Sequence, residues 1–299
     1  MGKVAFIFSG QGDQHPGMGK ELYEKYPAAK RVFDMCDSVR PNTSAQCFEG
    51  TEDELKETKN TQPCLFAFEL ALASVLKEKG FSPDVLAGFS LGEVAAATAS
   101  GIFDIETGFR LVCIRGELMQ REAEKFDTSM AAVVKLSDEK VQEICEKYSD
   151  VYPVNFNCPG QITVSGLSSQ MPDFFADVKA AGGRALPLKV KGAFHSPFMK
   201  EAAEAFALEL EKAEIKTPHT ALYSNMTASV YTDDVVSLLS QQICSPVCWE
   251  RIIRNMISDG VDTFVEIGPG RTLTNMVRKI SADVKAVSAA ELITEETSC

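Results

Sequence analysis

The hydrophobic pattern of the first 127 residues repeats a short apolar run followed by a longer helical stretch. Residues 3–8 and 84–88 are apolar runs beside glycine, which is typical of buried strands. Apolar residues at helical spacing predict three helices, which cover 62–79, 91–100 and 105–121. Strands that alternate with helices indicate a parallel α/β sheet.

The pattern changes after Ser129 and returns to the first rhythm near residue 191. In between, the order is strand, helix, strand, strand, helix, strand, at 130–135, 138–147, 151–157, 161–165, 171–181 and 184–190. This order is that of the ferredoxin-like unit. Afterwards, helices are predicted at 199–213, 249–259 and 272–280, and strands at 221–224 and 263–266. We therefore predict an α/β core, residues 1–127 and 192–299, interrupted by a small α+β subdomain, residues 128–191.

Composition narrows the class of protein. The chain has 299 residues, of which 45% are hydrophobic, as expected for a globular protein. The apolar start is too short for a signal peptide and no apolar stretch reaches the roughly 20 residues of a membrane span, so we expect a cytoplasmic protein. The net charge of −12 argues against nucleic-acid binding. Nine scattered cysteines without a Cys-x-x-Cys pair predict reduced thiols and no metal site.

The clearest local motif is Gly-Phe-Ser-Leu-Gly-Glu at residues 88–93, between a predicted strand and a predicted helix. This is the context of a nucleophile elbow, in which serine stands at the tip of a strained turn. Glycines two residues to either side leave room for that turn, and the helix N-terminus directs N–H groups at a developing oxyanion. The alternative is a structural turn in which Ser90 only caps the helix.

A serine nucleophile needs a base, and the chain has three histidines. His15 and His219 lie in loops and are interpreted as solvent-exposed. His195 lies where the small subdomain returns to the core, so it is the preferred base. Acids between Ser90 and His195 include Asp127, Asp138 and Asp150, and none of them is marked by its context as the third member of a triad. The group that orients His195 stays open at this level.

Eight short segments in order along the chain resemble one family. They are 9–14 (Ser-Gly-Gln-Gly-Asp-Gln), 17–19 (Gly-Met-Gly), 61–63 (Thr-Gln-Pro), 88–93, 115–120 (Arg-Gly-x-x-Met-Gln), 193–196 (Ala-Phe-His-Ser), 225–227 (Asn-Met-Thr) and 266–270 (Glu-Ile-Gly-Pro-Gly). Together they are similar to malonyl-CoA:acyl carrier protein transacylases of fatty acid and polyketide synthesis. The resemblance implies an α/β-hydrolase-like core with a ferredoxin-like insert, in agreement with the order of elements above.

The resemblance also implies a role for each matching residue. Ser90 is expected to be the acylated nucleophile and His195 its base. Backbone N–H groups of Gln11 and Leu91 are expected to form the oxyanion hole. Gln242 is expected to orient His195 through its backbone carbonyl, and Arg115 to bind the free carboxylate of the malonyl group.

Two phenylalanines are expected beside the acyl pocket. Phe89 stands where the family usually has histidine, which changes the polarity of the pocket and leaves the nucleophile and base intact. Phe194 matches the pattern that accompanies malonyl over methylmalonyl specificity in related polyketide domains.

The resemblance implies malonyl-CoA and an acidic acyl carrier protein as partners, no resident cofactor, and a monomer. An acidic chain needs a local basic face for such a carrier. Lys189, Lys191 and Arg271 are the candidate docking residues, because acidic residues are missing around them. Two rival functions remain at this stage, which are an acyl-CoA or acyl-carrier hydrolase with the same serine and a non-catalytic carrier-binding protein.

Overall fold

The computed structural model describes residues 2–190, 192–232 and 234–295. Its strands are β1 (Lys3–Phe8), β2 (Val85–Gly88), β3 (Thr128–Val134), β4 (Val151–Cys158), β5 (Gln161–Leu167), β6 (Arg184–Pro187), β7 (Ala221–Tyr223), β8 (Val261–Ile267) and β9 (Lys285–Ser288). Its first seven helices are α1 (Lys20–Lys25), α2 (Pro27–Val39), α3 (Thr43–Glu49), α4 (Glu52–Lys56), α5 (Thr58–Glu78), α6 (Leu91–Ala99) and α7 (Ile105–Ala123). The others are α8 (Asp138–Cys145), α9 (Met171–Ala180), α10 (Lys200–Leu210), α11 (Val235–Gln241), α12 (Trp249–Ser258), α13 (Thr272–Ile280) and α14 (Ala289–Glu295).

The core is built on a parallel sheet with the strand order β7-β2-β1-β8-β9. Strand β1 is central, and all its residues from Ala5 to Phe8 are buried because helices cover both faces of the sheet. β1, β2 and β8 end at neighbouring positions, since Phe8 lies opposite both Gly88 and Ile267. The loops that follow these three strands therefore meet at one edge of the sheet, where ligands bind in open α/β folds.

The small subdomain is an antiparallel sheet with the order β4-β5-β3-β6, on which α8 and α9 pack. Its elements follow the βαββαβ order predicted from the sequence, so the predicted fold class, an α/β-hydrolase-like core with a ferredoxin-like insert, is confirmed. The elements of the insert run from 128 to 187, and the domain boundaries at 128 and 191 stay a prediction.

Hydrogen bonds tie the edge strand of the insert to the core. Phe156 donates its N–H to the carbonyl of Val247 at 2.9 Å, and Val247 donates to Val154 at 2.9 Å. One face of the insert thereby stands over the carboxyl ends of β1 and β2. A cleft between the two parts results.

Some predicted boundaries differ from the observed ones. The helix predicted from residue 62 begins at Thr58, and the strand predicted to reach residue 190 ends at Pro187. The sequence pattern assigned no elements to residues 20–56, where α1 to α4 lie. Helix α1 has only six residues, none of them fully buried, and Leu22 and Tyr23 are its only apolar side chains, so its hydrophobic pattern is too short to detect. Among the described residues, no helix is both long and apolar enough to cross a membrane.

Candidate active site

Ser90 occupies the turn between β2 and α6, with φ 53° and ψ −110°. A non-glycine residue rarely adopts this backbone, which is held here by its surroundings. A Cβ on Gly88 would lie 1.9 Å from the carbonyl oxygen of Gly92, and a Cβ on Gly92 would lie 2.4 Å from the carbonyls of Phe8 and Ser9. The two glycines thus allow the backbone contacts on which the turn depends.

Asn225 fixes the turn from the opposite side. Its Oδ1 accepts the N–H of Ser90 at 2.7 Å, and its Nδ2 donates to the carbonyl of Gly88 at 2.5 Å. The Ser90 hydroxyl makes no capping bond to helix α6. It is free for another partner, which argues against the purely structural alternative for this serine.

That partner is His195. Its Nε2 lies 2.7 Å from Ser90 Oγ, and its Nδ1 lies 2.8 Å from the backbone carbonyl of Gln242. A carbonyl can only accept, so Nδ1 carries the proton and Nε2 offers a lone pair to the serine hydroxyl. Burial, together with the positive charge of Arg115, lowers the pKa of His195 to about 4, although the Gln242 carbonyl opposes the shift. The imidazole is therefore neutral near pH 7, as a base must be.

Two backbone N–H groups, in the elbow and in the loop that packs on it, have no hydrogen-bond partner among the described residues. Leu91 is the first residue of α6, so its N–H has no partner inside the helix. Gln11 lies in the loop after β1, which packs so closely on the elbow that a Cβ on Gly10 would lie 2.8 Å from the ring of Phe89. Within residues 2–190, 192–232 and 234–295, neither N–H donates a hydrogen bond. Both are available to an oxyanion.

Arg115 points from α7 to the same place and is completely buried. It donates to Gln62 Oε1 at 2.8 Å, to Gln242 Oε1 at 2.7 Å, and its Nη2 lies 3.4 Å from Ser90 Oγ. Burial lowers the pKa of Arg115 to about 10, and Glu93 opposes the shift, so the side chain stays charged at neutral pH. Its Nε is buried and has no partner among the described residues. The site thus contains a cation beside the serine.

Glu93, in the first turn of α6, is a buried acid that the sequence analysis did not single out. It accepts hydrogen bonds from Gln242 Nε2 at 2.7 Å, from the Asn225 N–H at 2.9 Å and from the Tyr231 hydroxyl at 2.7 Å. Burial raises its pKa to about 7, while these three bonds and Arg115 act in the opposite direction. The sequence could have indicated this residue, because Glu93 is the one acid in the alanine-rich stretch that follows the elbow.

A cavity of about 220 Å³ extends from the elbow along the cleft between core and insert. Gln11 and Phe89 line it from the core, and Asn155, Asn157 and Thr163 line it from the insert. Asn155 Oδ1 and Asn157 Oδ1 are buried and have no hydrogen-bond partner among the described residues. Buried polar atoms are usually paired, so these two are suited to a ligand that donates hydrogen bonds.

The two phenylalanines occupy different surroundings. Phe89 lines the cleft and packs edge-on against Trp249, with 5.4 Å between the ring centroids. Phe194, next to the base, is buried in the main hydrophobic core, and its ring lies close to Gly192.

The remaining histidines lie away from the serine. His15 is exposed and its Nδ1 lies 3.1 Å from the carbonyl of Asp13. His219 packs against Gly101, beyond the far end of helix α6. Neither contacts Ser90.

The three candidate docking residues differ in their surroundings. Lys189 is exposed and lines an outer cavity of about 450 Å³ together with Gln11 and His15. Arg271 is 58% exposed but forms an ion pair with Glu291 at 2.7 Å. Lys191 lies outside the described residues. Across the described part of the chain, no cluster of three or more His, Cys, Asp or Glu side chains is placed to hold a metal ion.

The parallel core with its insert, the serine–histidine pair and the two free backbone donors define an α/β protein equipped for acyl transfer through a serine ester. Comparison with known proteins agrees. The family model described as acyl transferase domain matches residues 5–296, and the chain belongs to this family.

Relatives with known names cover nearly the whole chain. The malonyl CoA-acyl carrier protein transacylase of Bacillus subtilis is 39% identical over 97% of this chain and 94% of its own length. The crystal structure of the corresponding transacylase from Clostridium perfringens superposes with a TM-score of 0.94 at 34% identity, over 99% of this chain and 97% of that one. A malonyl-transacylase solved in complex with its type II polyketide acyl-carrier protein gives a TM-score of 0.94 at 34% identity, over 98% of both chains.

Proposed function

We propose that this chain transfers a malonyl group from malonyl-CoA to the phosphopantetheine thiol of an acyl carrier protein, through a malonyl ester on Ser90. The observation that carries the proposal is the position of Arg115, a fully buried cation whose Nη2 lies 3.4 Å from the Ser90 hydroxyl. A simple esterase has no need of a buried positive charge facing its acyl pocket. A carboxylate at the end of the acyl group gives that charge a partner.

The first half of the reaction forms the ester and releases coenzyme A. His195 Nε2 accepts the Ser90 proton while Oγ attacks the thioester carbon, and the N–H groups of Gln11 and Leu91 stabilise the oxyanion. Collapse breaks the C–S bond, and His195 returns the proton to the leaving sulfur. In the second half, the carrier thiol gives its proton to His195 and attacks the ester carbon. The bond to Ser90 Oγ then breaks, and His195 returns the proton to Oγ, which regenerates the serine hydroxyl.

Arg115 supplies the preference for malonyl. A guanidinium can bind a carboxylate through two parallel hydrogen bonds. Bonds to a charged group contribute about 1.5–3 kcal/mol, which corresponds to a selectivity of roughly 10–150-fold over acetyl. Gln62 and Gln242 already hold two of its donors, so the fork is oriented before the substrate arrives.

The cleft accounts for the thioester arm that both substrates share. The arm of coenzyme A and of the carrier is a chain with two amide groups. The unpartnered oxygens of Asn155 and Asn157 are acceptors for its N–H groups, in a cavity that is also lined by Phe89, the residue before Ser90. Phe89 and Leu188 provide apolar walls in the same cavity. One channel therefore serves both half-reactions.

The carrier docks, in this proposal, at the outer end of the cleft. Lys189 is exposed there, and we assign it the leading role in attracting an acidic carrier. Arg271 contributes less because Glu291 neutralises much of its charge. The absence of a cofactor, the monomeric state and the cytoplasmic location stay predictions.

The decisive test is intact-protein mass spectrometry after brief exposure to malonyl-CoA or to acetyl-CoA. We expect a malonyl adduct that forms faster than the acetyl adduct, is absent in Ser90→Ala and disappears when carrier protein is added. Loss of a nucleophile that acts together with its base lowers the rate by about 10⁶-fold. In Arg115→Ala the preference for malonyl should fall to near one, and Arg115→Lys, which keeps the charge and loses the fork, should lie between.

Two outcomes contradict the proposal. Free coenzyme A and free acid without a transferable adduct would identify a hydrolase. Neither adduct nor turnover in the folded protein would identify a carrier-binding protein without activity.

A further inference from the structure

The side-chain amide of Gln242 is held at both ends. Its Oε1 accepts from Arg115 Nη2 at 2.7 Å, and its Nε2 donates to the Ser90 carbonyl at 2.6 Å and to Glu93 Oε2 at 2.7 Å. Arginine can only donate, whereas a carbonyl and a carboxylate accept. One orientation of the amide satisfies all three partners, and the opposite orientation would turn its NH₂ group toward the guanidinium.

Glu93 is itself fixed on its other oxygen. Oε1 accepts from the Asn225 N–H at 2.9 Å and from the Tyr231 hydroxyl at 2.7 Å. Three donors from two segments of the chain, the segment after β7 and Gln242, thus converge on one fully buried carboxylate. The ionised carboxylate, which offers two acceptor oxygens and no donor, is the form that satisfies all three donors, so this arrangement describes Glu93 above its pKa of about 7.

We propose that Glu93 is a positioning residue that sets acyl specificity, because it fixes the amide of Gln242 with its oxygen toward Arg115 and so aims the guanidinium at the free carboxylate of the substrate. Glu93 touches neither the substrate nor the reacting atoms. Glu93 acts on Arg115 through the side-chain amide of Gln242. The inference rests on the proposed function, since it assumes an acyl group with a terminal carboxylate.

The substitution Glu93→Gln isolates this effect. The introduced amide has nearly the same shape but only one acceptor atom, so it cannot serve both Gln242 and the Asn225–Tyr231 pair. If its oxygen faces Asn225 and Tyr231, its NH₂ meets the NH₂ of Gln242. The Gln242 amide then turns over to offer its oxygen and presents its own NH₂ to Arg115, which displaces the guanidinium.

The experiment measures the rates of Ser90 acylation by malonyl-CoA and by acetyl-CoA, by quenched-flow mass spectrometry of the full-length protein. For Glu93→Gln we expect the malonyl-to-acetyl rate ratio to fall about tenfold or more, the size of one hydrogen bond to a charged group. The acetyl rate should change by less than about threefold, because the backbone carbonyl of Gln242 still orients His195. Asn225 still holds the turn at Ser90 when the Gln242 amide loses its bond to the Ser90 carbonyl.

Tyr231→Phe is the matched control. It removes a donor from the other oxygen of the same carboxylate and leaves the bond to Gln242 in place. We expect a loss of stability and an unchanged rate ratio. A fall in the ratio as large as that of Glu93→Gln would show a general packing effect and would overturn the inference.

A double-mutant cycle tests the route through Gln242. Gln242→Leu removes the amide and keeps the backbone carbonyl, so its rate ratio should fall as well, and adding Glu93→Gln should lower it little further. Additive effects, or a folded Glu93→Gln protein with the wild-type ratio, would refute the route. If Glu93→Gln does not fold, the Gln242→Leu variant is sufficient, because an unchanged malonyl-to-acetyl rate ratio in that variant refutes the route through Gln242. A wild-type protein that shows no malonyl preference would instead contradict the proposed function.

Discussion

Ser90 and His195 both lie in the left-handed region of the backbone, with φ values of 53° and 61°. Each such backbone conformation costs of order 1–3 kcal/mol of folding free energy and persists only where the surrounding structure holds it. Here Asn225 holds the serine, and the N–H of His195 is bound to the carbonyl of Ile243 at 3.1 Å. The strain brings two side chains that are 105 positions apart to within a hydrogen bond of each other.

The buried imidazole makes stability depend on pH. Its pKa is lowered from 6.5 to about 4, so between these values the unfolded chain binds a proton that the folded protein does not. The contribution of the neutral His195 to the free energy of unfolding is therefore complete above pH 6.5 and is lost as the pH falls toward 4. From pH 7 to pH 4.5 we expect wild type to lose about 2 kcal/mol more than His195→Gln, measured by urea unfolding.

Two features allow the difference between wild type and His195→Gln to be assigned to His195. Glu93, whose raised pKa acts in the opposite direction, is present in both proteins and cancels in the difference. His219→Gln, at an exposed position, serves as the control and should keep the wild-type pH dependence. Equal pH dependence in His195→Gln and wild type would show that the base is not held neutral by burial.

Strand β2 and helix α6 fix the position of Ser90 relative to the loop after β1. A Cβ at residue 92 would lie 2.4 Å from two carbonyl oxygens of the β1 segment, so Gly92→Ala must push the elbow away from the loop that carries Gln11. We expect a loss of about 1–3 kcal/mol in unfolding free energy and at least about a tenfold loss in the rate of Ser90 acylation.

Gly182→Ala is the control for that substitution. Gly182 has φ 87° and nothing within 4 Å of the added Cβ, so alanine there costs stability through its backbone conformation alone, without a clash. It should lose about 1 kcal/mol of stability and none of the acylation rate. A Gly92→Ala protein that acylates at the wild-type rate would mean that the elbow tolerates displacement.

The whole molecule has a net charge of −12 and must bind an acidic carrier in the proposed reaction. Lys189 at the mouth of the cleft offsets that charge locally. We expect Lys189→Glu to lower kcat/KM for the carrier by about 3–10-fold and to weaken its dependence on salt, because a rim charge acts mainly on association. The measurement is transfer to carrier protein from pre-formed malonyl-enzyme at several salt concentrations.

Lys147→Glu is the matched reversal for this docking face. Lys147 is also on the insert but forms an ion pair with Asp177 at 3.0 Å, beside α9. It should leave transfer to the carrier unchanged. Equal effects of the two reversals would indicate net charge in general and would remove Lys189 from the docking face.

The sequence by itself determined the features that depend on local sterics and on residue type. Glycines at 88 and 92 mark the strained turn because no other residue fits the close backbone contacts there. With three histidines in the chain, elimination favoured His195 as the base. The order of elements predicted the parallel core and the ferredoxin-like insert, since hydrophobic spacing follows the periods of strands and helices.

Tertiary structure alone decided the features that depend on contacts between distant segments. The partner of His195 Nδ1 is a backbone carbonyl, a group that every residue carries, so no residue type reveals it without a family resemblance. The convergence of Glu93, Gln242 and Arg115 spans 149 positions between the first two of these residues. The unpaired oxygens of Asn155 and Asn157 matter because the fold buries them in the cleft. Such contacts arise from packing, and hydrophobic spacing along the chain carries no record of which polar groups packing will join.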